Sequence, residues 1–248
     1  DWYNPHDPDA KITKMKDGRT HLAHKAEHAV DMDTGAIVAV TLQPANAGDT
    51  TTIQETLHQT QENLARVAGD PANAESLAQD SAEELVADKG YHSNATLRAL
   101  QEQELRSYVS EPARRGPRRW KDKAAEQAAV YGNRRRIRGK RGKALLRRRG
   151  ELVERPFAHC YETGGLRRTH LKGHARILKR LLIHVAGFNL ALMMRTMFGV
   201  GTPRGLQGLA PALLQSLVAW IRQLRAATEA LRRFSRRLLP LTAMDHAI

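Results

Sequence analysis

The chain has 248 residues, 41% of them apolar and 27% charged, a composition that builds a core and excludes wholesale disorder. Its single cysteine, Cys160, excludes an internal disulfide and any cysteine-based metal cluster. The net charge of +14 is unevenly spread: residues 1–113 carry 9 Lys or Arg against 19 Asp or Glu, residues 114–180 carry 23 against 5, and residues 181–248 carry 8 against 2. An acidic front joined to a strongly basic middle points to a polyanion surface, and nucleic acid is the expected polyanion.

Residues 1–20 are polar and turn-rich, with Asn4-Pro5, Asp7-Pro8 and Asp17-Gly18. The chain opens on Asp1-Trp2-Tyr3 without a signal peptide, which reads as a truncated reading frame or a fragment. Alternation then predicts strands over Leu22–Val30 and Ala36–Leu42, joined by a hairpin turn at Asp33-Thr34-Gly35. Ile53, Leu57 and Leu64 recur at helical spacing and predict a helix over Asp49–Ala68, stopped by Gly69-Asp70-Pro71. A short apolar strand, Leu85-Val86-Ala87, ends at Asp88, and Gly90 breaks it before a helix over Asn94–Gln103. Leu105–Val109 is a further strand, closed by Glu111-Pro112. Strand, strand, helix, strand, helix, strand is the order of an α/β layer, not of a bundle or a sandwich.

The run from Arg134 to Lys143, charged and broken by Gly139 and Gly142, reads as an exposed loop or arm. Beyond it, Leu145, Leu152, Val153 and Phe157 predict a helix over Ala144–Cys160. Two more helices are predicted over Ala175–Phe198 and Ala210–Leu238, separated by Gly199, Gly201 and Pro203. The apolar stretch Leu181–Met194 is too short for a typical membrane span and is expected to be a buried helix.

Two carboxylates carry the chemistry. Asp88 stands where an apolar strand meets a glycine turn; an acid there either faces the crevice at the carboxyl ends of α/β strands or caps the helix that follows. Glu154 lies between Val153 and Phe157, which share one helical face, so it reaches the edge of that face or simply faces solvent. Pro156 fits a helix's first turn or else a kink. His159 and Cys160 are adjacent and diverge on a helix, and His170 and His174 lack an acid set, so neither pair is read as a site.

Taken together these segments carry a resemblance. Val86-Ala87-Asp88-Lys89-Gly90-Tyr91 resembles the second-aspartate motif of the DDE transposases of bacterial insertion sequences, and Glu154-Arg155-Pro156-Phe157 resembles their glutamate-helix motif. Asp7-Pro8-Asp9-Ala10-Lys11, the hairpin from His28 to Gly35, Gly48-Asp49-Thr50 and Arg167-Arg168-Thr169-His170-Leu171-Lys172-Gly173 follow in the same order. The resemblance runs from Asp7 to about Gly208 and is closest to the IS1182-like and IS5-like branches of the IS4 superfamily.

What the resemblance implies is a ribonuclease H-like α/β core, incomplete at the N-terminus, with a basic insertion at about 112–143 and a helical C-terminal tail. The catalytic domain would occupy residues 1–198 and the helical extension residues 199–248. It implies a pair of Mg2+ ions, with Mn2+ as the alternative, held by two aspartates and a glutamate, of which Asp88 and Glu154 match two. The first aspartate of the family precedes the hairpin; Asp7, Asp9 and Asp31 do not match its motif, and Asp31 is expected to be a turn residue. Gly150 and Tyr161 stand where relatives carry Arg and Lys around the glutamate, with Arg147 and Arg149 as partial substitutes and Glu151 as the runner-up acid. Arg134, Arg135, Arg136, Arg138, Lys140, Arg141, Lys143 and Arg155 are the expected contacts to DNA phosphates, and Trp120 or Tyr131 either stacks on a base or packs internally.

The activity implied is metal-dependent cleavage and strand transfer at insertion-sequence ends, by a homo-oligomer acting on double-stranded DNA in the bacterial cytoplasm, away from membranes. With the first aspartate outside the chain, this form is expected to be impaired. The alternatives are a non-catalytic nucleic-acid-binding protein and a ribonuclease H-like nuclease without strand transfer.

Overall fold

Alternation of inward and outward side chains builds the first sheet of the computed structural model, which describes residues 3–14, 18–73, 81–113, 116, 118–201, 215, 218–223, 225–226 and 228–229. Strand β1 (Lys11–Lys14) pairs antiparallel with β2 (Thr20–Val30), which pairs antiparallel with β3 (Ile37–Pro44). Strand β1 departs from the turn-rich character expected of residues 1–20; its Lys-Ile-Thr-Lys composition has little apolar signal and suits a sheet edge, where lysines discourage further pairing. The β2–β3 register slips between Ala29 and Val30, so that Val30 faces Ile37. Asp31 closes the hairpin by accepting hydrogen bonds from the Asp33 and Thr34 amides, and Gly35 takes the positive φ of 78° that the turn needs. Asp31 is thus the turn residue expected.

Helix α1 (Asp49–Ala68) matches its expected span and covers one face of this sheet. Its Thr52 and Thr56 meet Lys25 and Glu27 of β2, and Thr56 meets Thr41 of β3. Ala26 and Val30 face the other way, into a cluster with Ile37, Val40, Leu42, Cys160, Ile177, Leu181 and Val185.

Strand β4 (Glu84–Ala87) pairs in parallel with β5 (Arg106–Val109), Ala87 beside Val109, through the crossover helix α2 (Asn94–Glu102). Ile53 and Leu57 of α1 join Ala87, Leu97, Leu100, Leu105, Val109, Ala129 and Val130 in a second core, so α1 bridges both sheets. The described strands therefore form a mixed α/β structure with a three-stranded and a two-stranded sheet.

The basic arm is the clearest correction. Residues 134–143 are not a loop: they belong to helix α3 (Ala124–Arg138) and helix α4 (Lys140–Ala158), which meet at Gly139. Alanine and arginine are strong helix formers, and α3 has a core face of Ala129, Val130 and Asn133 that its net charge hides. Gly142 lies against the Arg136 carbonyl so closely that no Cβ fits there, which is why the second glycine tightens the helical corner instead of unravelling it. Pro156 lies inside α4, buried, and the helix ends two residues later in a π turn over His159–Thr163.

Helix α5 (His174–Phe198) starts where expected, but it is not buried all round. Ile177, Leu181 and Val185 enter the core, while Leu182 and Ile183 remain exposed, because the sheet accepts only one helical face. By length and composition alone α5 could cross a membrane. Asp7 and Asp9 cap its start, accepting from the Gly173 and His174 amides at 3.0 and 2.9 Å. By its internal contacts the chain forms two units, Asp1–Asn189 and Leu190–Ile248. The helix predicted over Ala210–Leu238 falls mostly outside the described residues; those described between 215 and 229 are helical.

Candidate active site and nucleic-acid surface

The parallel pair β4–β5 ends on one edge, and Asp88 leaves β4 there with its side chain about half exposed (47%). Its Oδ1 accepts the Gly90 amide at 2.9 Å and closes a tight turn over Lys89–Tyr91. Asp88 does not cap α2; Ser93 does, accepting from the Thr96 amide at 2.9 Å. The second oxygen, Oδ2, lies 3.7 Å from Nη2 of Arg149 on α4.

Three residues not expected at the site join Asp88. A Cβ on Gly90 would run into Oδ2 of Asp49, so this carboxylate fills the space of a side chain at position 90, while Oδ1 of Asp88 is 3.1 Å from the same point. Lys25 binds Oδ1 of Asp49 at 2.6 Å and Oε1 of Glu27 at 2.8 Å, and donates to Thr52 at 3.1 Å. Glu27 is only 3% exposed and accepts from both Thr52 and Thr56, the latter at 2.7 Å. Burial of Tyr91, and then the nearby charges of Glu27, Asp49 and Asp88, push its phenol pKa upward, so it stays protonated. A Lys-Ala-Glu strand whose charged residues face inward was the available signal, since such residues need partners from across the fold.

Glu154 is exposed on α4 and makes no hydrogen bond or ion pair among the described residues. Its helix is nevertheless anchored at two points, one at the site and one on the face of β2 opposite Lys25 and Glu27. Arg149 reaches Asp88, and Phe157 stacks on His28 of β2 at 4.3 Å between ring centroids. Burial there pushes the His28 pKa down to about 4, so the stack is neutral. Asp7 is committed elsewhere: burial opposes its ionisation, but the hydrogen bonds from His24 and the Gly173 amide outweigh that and lower its pKa.

The expected DNA contacts divide in two. Arg134 grips Glu111 through two hydrogen bonds of 2.8 and 2.7 Å, Arg136 donates to the carbonyl and hydroxyl of Ser107, and Arg141 pairs with Glu84 at 2.8 Å. These arginines hold the fold. Arg135, Arg138, Lys140, Lys143 and Arg155 are exposed, with no side-chain partner among the described residues. Trp120 packs on the core and against Tyr131, with centroids 5.8 Å apart.

The hydrogen bond from Arg134, helped by Arg118, holds Glu111 down to about 2. A depressed carboxylate pKa stabilises the fold fully above its unfolded value of 4.5 and loses that contribution as the pH falls toward 2. Glu111→Gln is therefore expected to cost about 2–3 kcal/mol at pH 7, a difference that shrinks steadily below pH 4.5 in urea unfolding curves. A cost independent of pH would show that the ion pair is not its source.

A divalent cation needs hard oxygen donors. Asp88 and the exposed Glu154 offer carboxylate oxygens, and that donor chemistry fits, although no set of three His, Cys, Asp or Glu ligands is gathered among the described residues.

Fold and site define a mixed α/β domain with a carboxylate at the end of a parallel strand pair and a cationic helical corner in the same chain. Residues 1–190 match the family model of the transposase DDE domain, and the chain belongs to that family. No curated protein and no solved structure matches it.

Proposed function

We propose that this chain carries the catalytic-domain fold of an insertion-sequence transposase of the IS1182-like or IS5-like type, built on a ribonuclease H-like core, with two of the three carboxylates that its metal site needs and so with impaired activity. The observation that carries the reading is the position of Asp88 at the carboxyl edge of β4–β5, with Arg149 of the glutamate-bearing helix reaching it, in a chain of the transposase DDE family. Glu154 sits five residues beyond Arg149, a rise of about 7.5 Å along α4, and is the second carboxylate of the proposal. Residues 1–198 belong to the catalytic domain, and the extension expected over 199–248 lies mostly outside the described residues. Asp88 and Glu154 hold Mg2+ or Mn2+, which supplies an activated water and stabilises the leaving oxyanion. The substrate is double-stranded DNA at element ends and target, engaged by a homo-oligomer in the bacterial cytoplasm.

Incubation with end-bearing DNA and Mn2+ is expected to yield weak scission that leaves 3′-hydroxyls and disappears with EDTA. Binding without scission under any divalent cation would favour a non-catalytic nucleic-acid-binding protein, and scission without joining would favour a nuclease.

The free cations of the α3–α4 corner supply the phosphate contacts. Replacing Arg135, Arg138, Lys140 and Lys143 together by alanine is expected to reduce the slope of log affinity against log salt by about 3–4, with little loss of stability. Fluorescence anisotropy with a duplex across a NaCl series measures this, and an unchanged slope would place the DNA on another surface.

A further inference from the structure

We propose that the Lys25–Asp49 ion pair is a positioning device for Asp88, acting through Gly90 to decide which oxygen of Asp88 is offered to a cation. This rests on the reading of Asp88 as a cation ligand.

Gly90 is touched from two sides. Its amide holds Oδ1 of Asp88 at 2.9 Å, and the space its side chain would fill is occupied by the Asp49 carboxylate. Whatever fixes Asp49 therefore fixes the peptide to which Asp88 is tied. With Oδ1 bound to that amide, Oδ2 is left on the α4 side, near Arg149.

Asp49 would not settle there unaided, because Asp88 and Glu27 carry the same charge nearby. Lys25 offsets the repulsion by bridging Asp49 and Glu27. The N-terminal end of α1, where Asp49 is the first-turn acid, adds a favourable field. Lys25 is itself anchored, because Thr52 and Thr56 of α1 hold Glu27 rigidly. The chain of contacts runs from β2 through α1 to the turn after β4, linking the two sheets at the site. Groups that orient a ligand carboxylate are worth about 10- to 100-fold in metal affinity.

The test is Fe2+-directed backbone cleavage of the full chain with ascorbate and peroxide, in which Fe2+ stands in for Mg2+ and cuts near its binding site. Cleavage around 88–91 is expected in the wild type and its loss in Asp88→Asn. Asp49→Asn and Lys25→Met should raise the Fe2+ concentration for half-maximal cleavage about tenfold. Lys25→Arg, which keeps the ion pair, should restore it to within about threefold of the wild type. Asp88-dependent cleavage unmoved by Asp49→Asn would overturn the positioning role and leave the proposed function standing. Absence of cleavage near Asp88 in the wild type would remove both.

A double-mutant cycle on unfolding covers the case in which a variant is unstable. Gly90→Ala should be markedly less costly in an Asp49→Ala background, because the colliding carboxylate is gone. Additive costs would mean that Asp49 does not press on the turn, and would overturn the proposal by an independent route.

Discussion

Asp88→Ala is expected to abolish the weak metal-dependent DNA scission that two matched carboxylates support, while barely moving the unfolding midpoint. The two effects separate because Asp88 does little for the fold. It is half exposed, its ion pair with Arg149 is long at 3.7 Å, and it accepts one hydrogen bond from a turn amide. Together these are worth about 1 kcal/mol. A ligand that helps hold a Lewis acid is worth several kcal/mol of transition-state stabilisation. Glu154→Ala should show the same separation more cleanly, since Glu154 has no side-chain partner to lose among the described residues. Gel assays of plasmid nicking with Mn2+, run beside thermal melts, measure both quantities. Activity surviving Asp88→Ala would move the chemistry to other residues, and a large drop in midpoint would recast Asp88 as structural.

The largest expected loss of stability belongs to Asn133. Its side chain, 1% exposed on α3, accepts from the Val109 amide and donates to the Val109 carbonyl, each at 2.8 Å. The amide thus completes the outer edge of β5 as a neighbouring strand would. Asn133→Ala strands a buried donor and a buried acceptor and opens a small void, for a cost of about 3–5 kcal/mol. Asn189 makes the same pair of bonds to Ile37 of β3, at 2.9 Å each, but is less buried, so Asn189→Ala should cost roughly half as much. Urea unfolding followed by circular dichroism measures both. Equal costs, or an Asn133→Ala cost below about 1 kcal/mol, would mean that water reaches these edges.

Much of this architecture was legible because its signals are local. Ile53, Leu57 and Leu64 define α1 by period, and Leu85-Val86-Ala87 before a glycine turn marks the strand that delivers Asp88. Helix α3 was hidden because arginine usually signals solvent, whereas Arg134 and Arg136 spend their charge on Glu111 and Ser107. The burial of α5 was overstated because apolar content reports how much of a helix can be buried, not how many faces the sheet will accept. Lys25, Glu27 and Asp49 were missed for a third reason: each looks ordinary in its own segment, and their meaning arises only when β2 and the start of α1 meet the turn after β4.

The locked arginines of α3 have a thermodynamic consequence for DNA binding. Arg134 and Arg136 flank Arg135 and are pinned to the protein, so the helix cannot rotate about its axis and the free cations are held at fixed azimuths. A disordered arm would have to fold as it bound, and that ordering would appear as a large negative heat-capacity change. A preformed helical corner surrenders little conformational entropy when it meets a phosphate backbone. Its association enthalpy should vary little with temperature, leaving counterion release as the dominant drive.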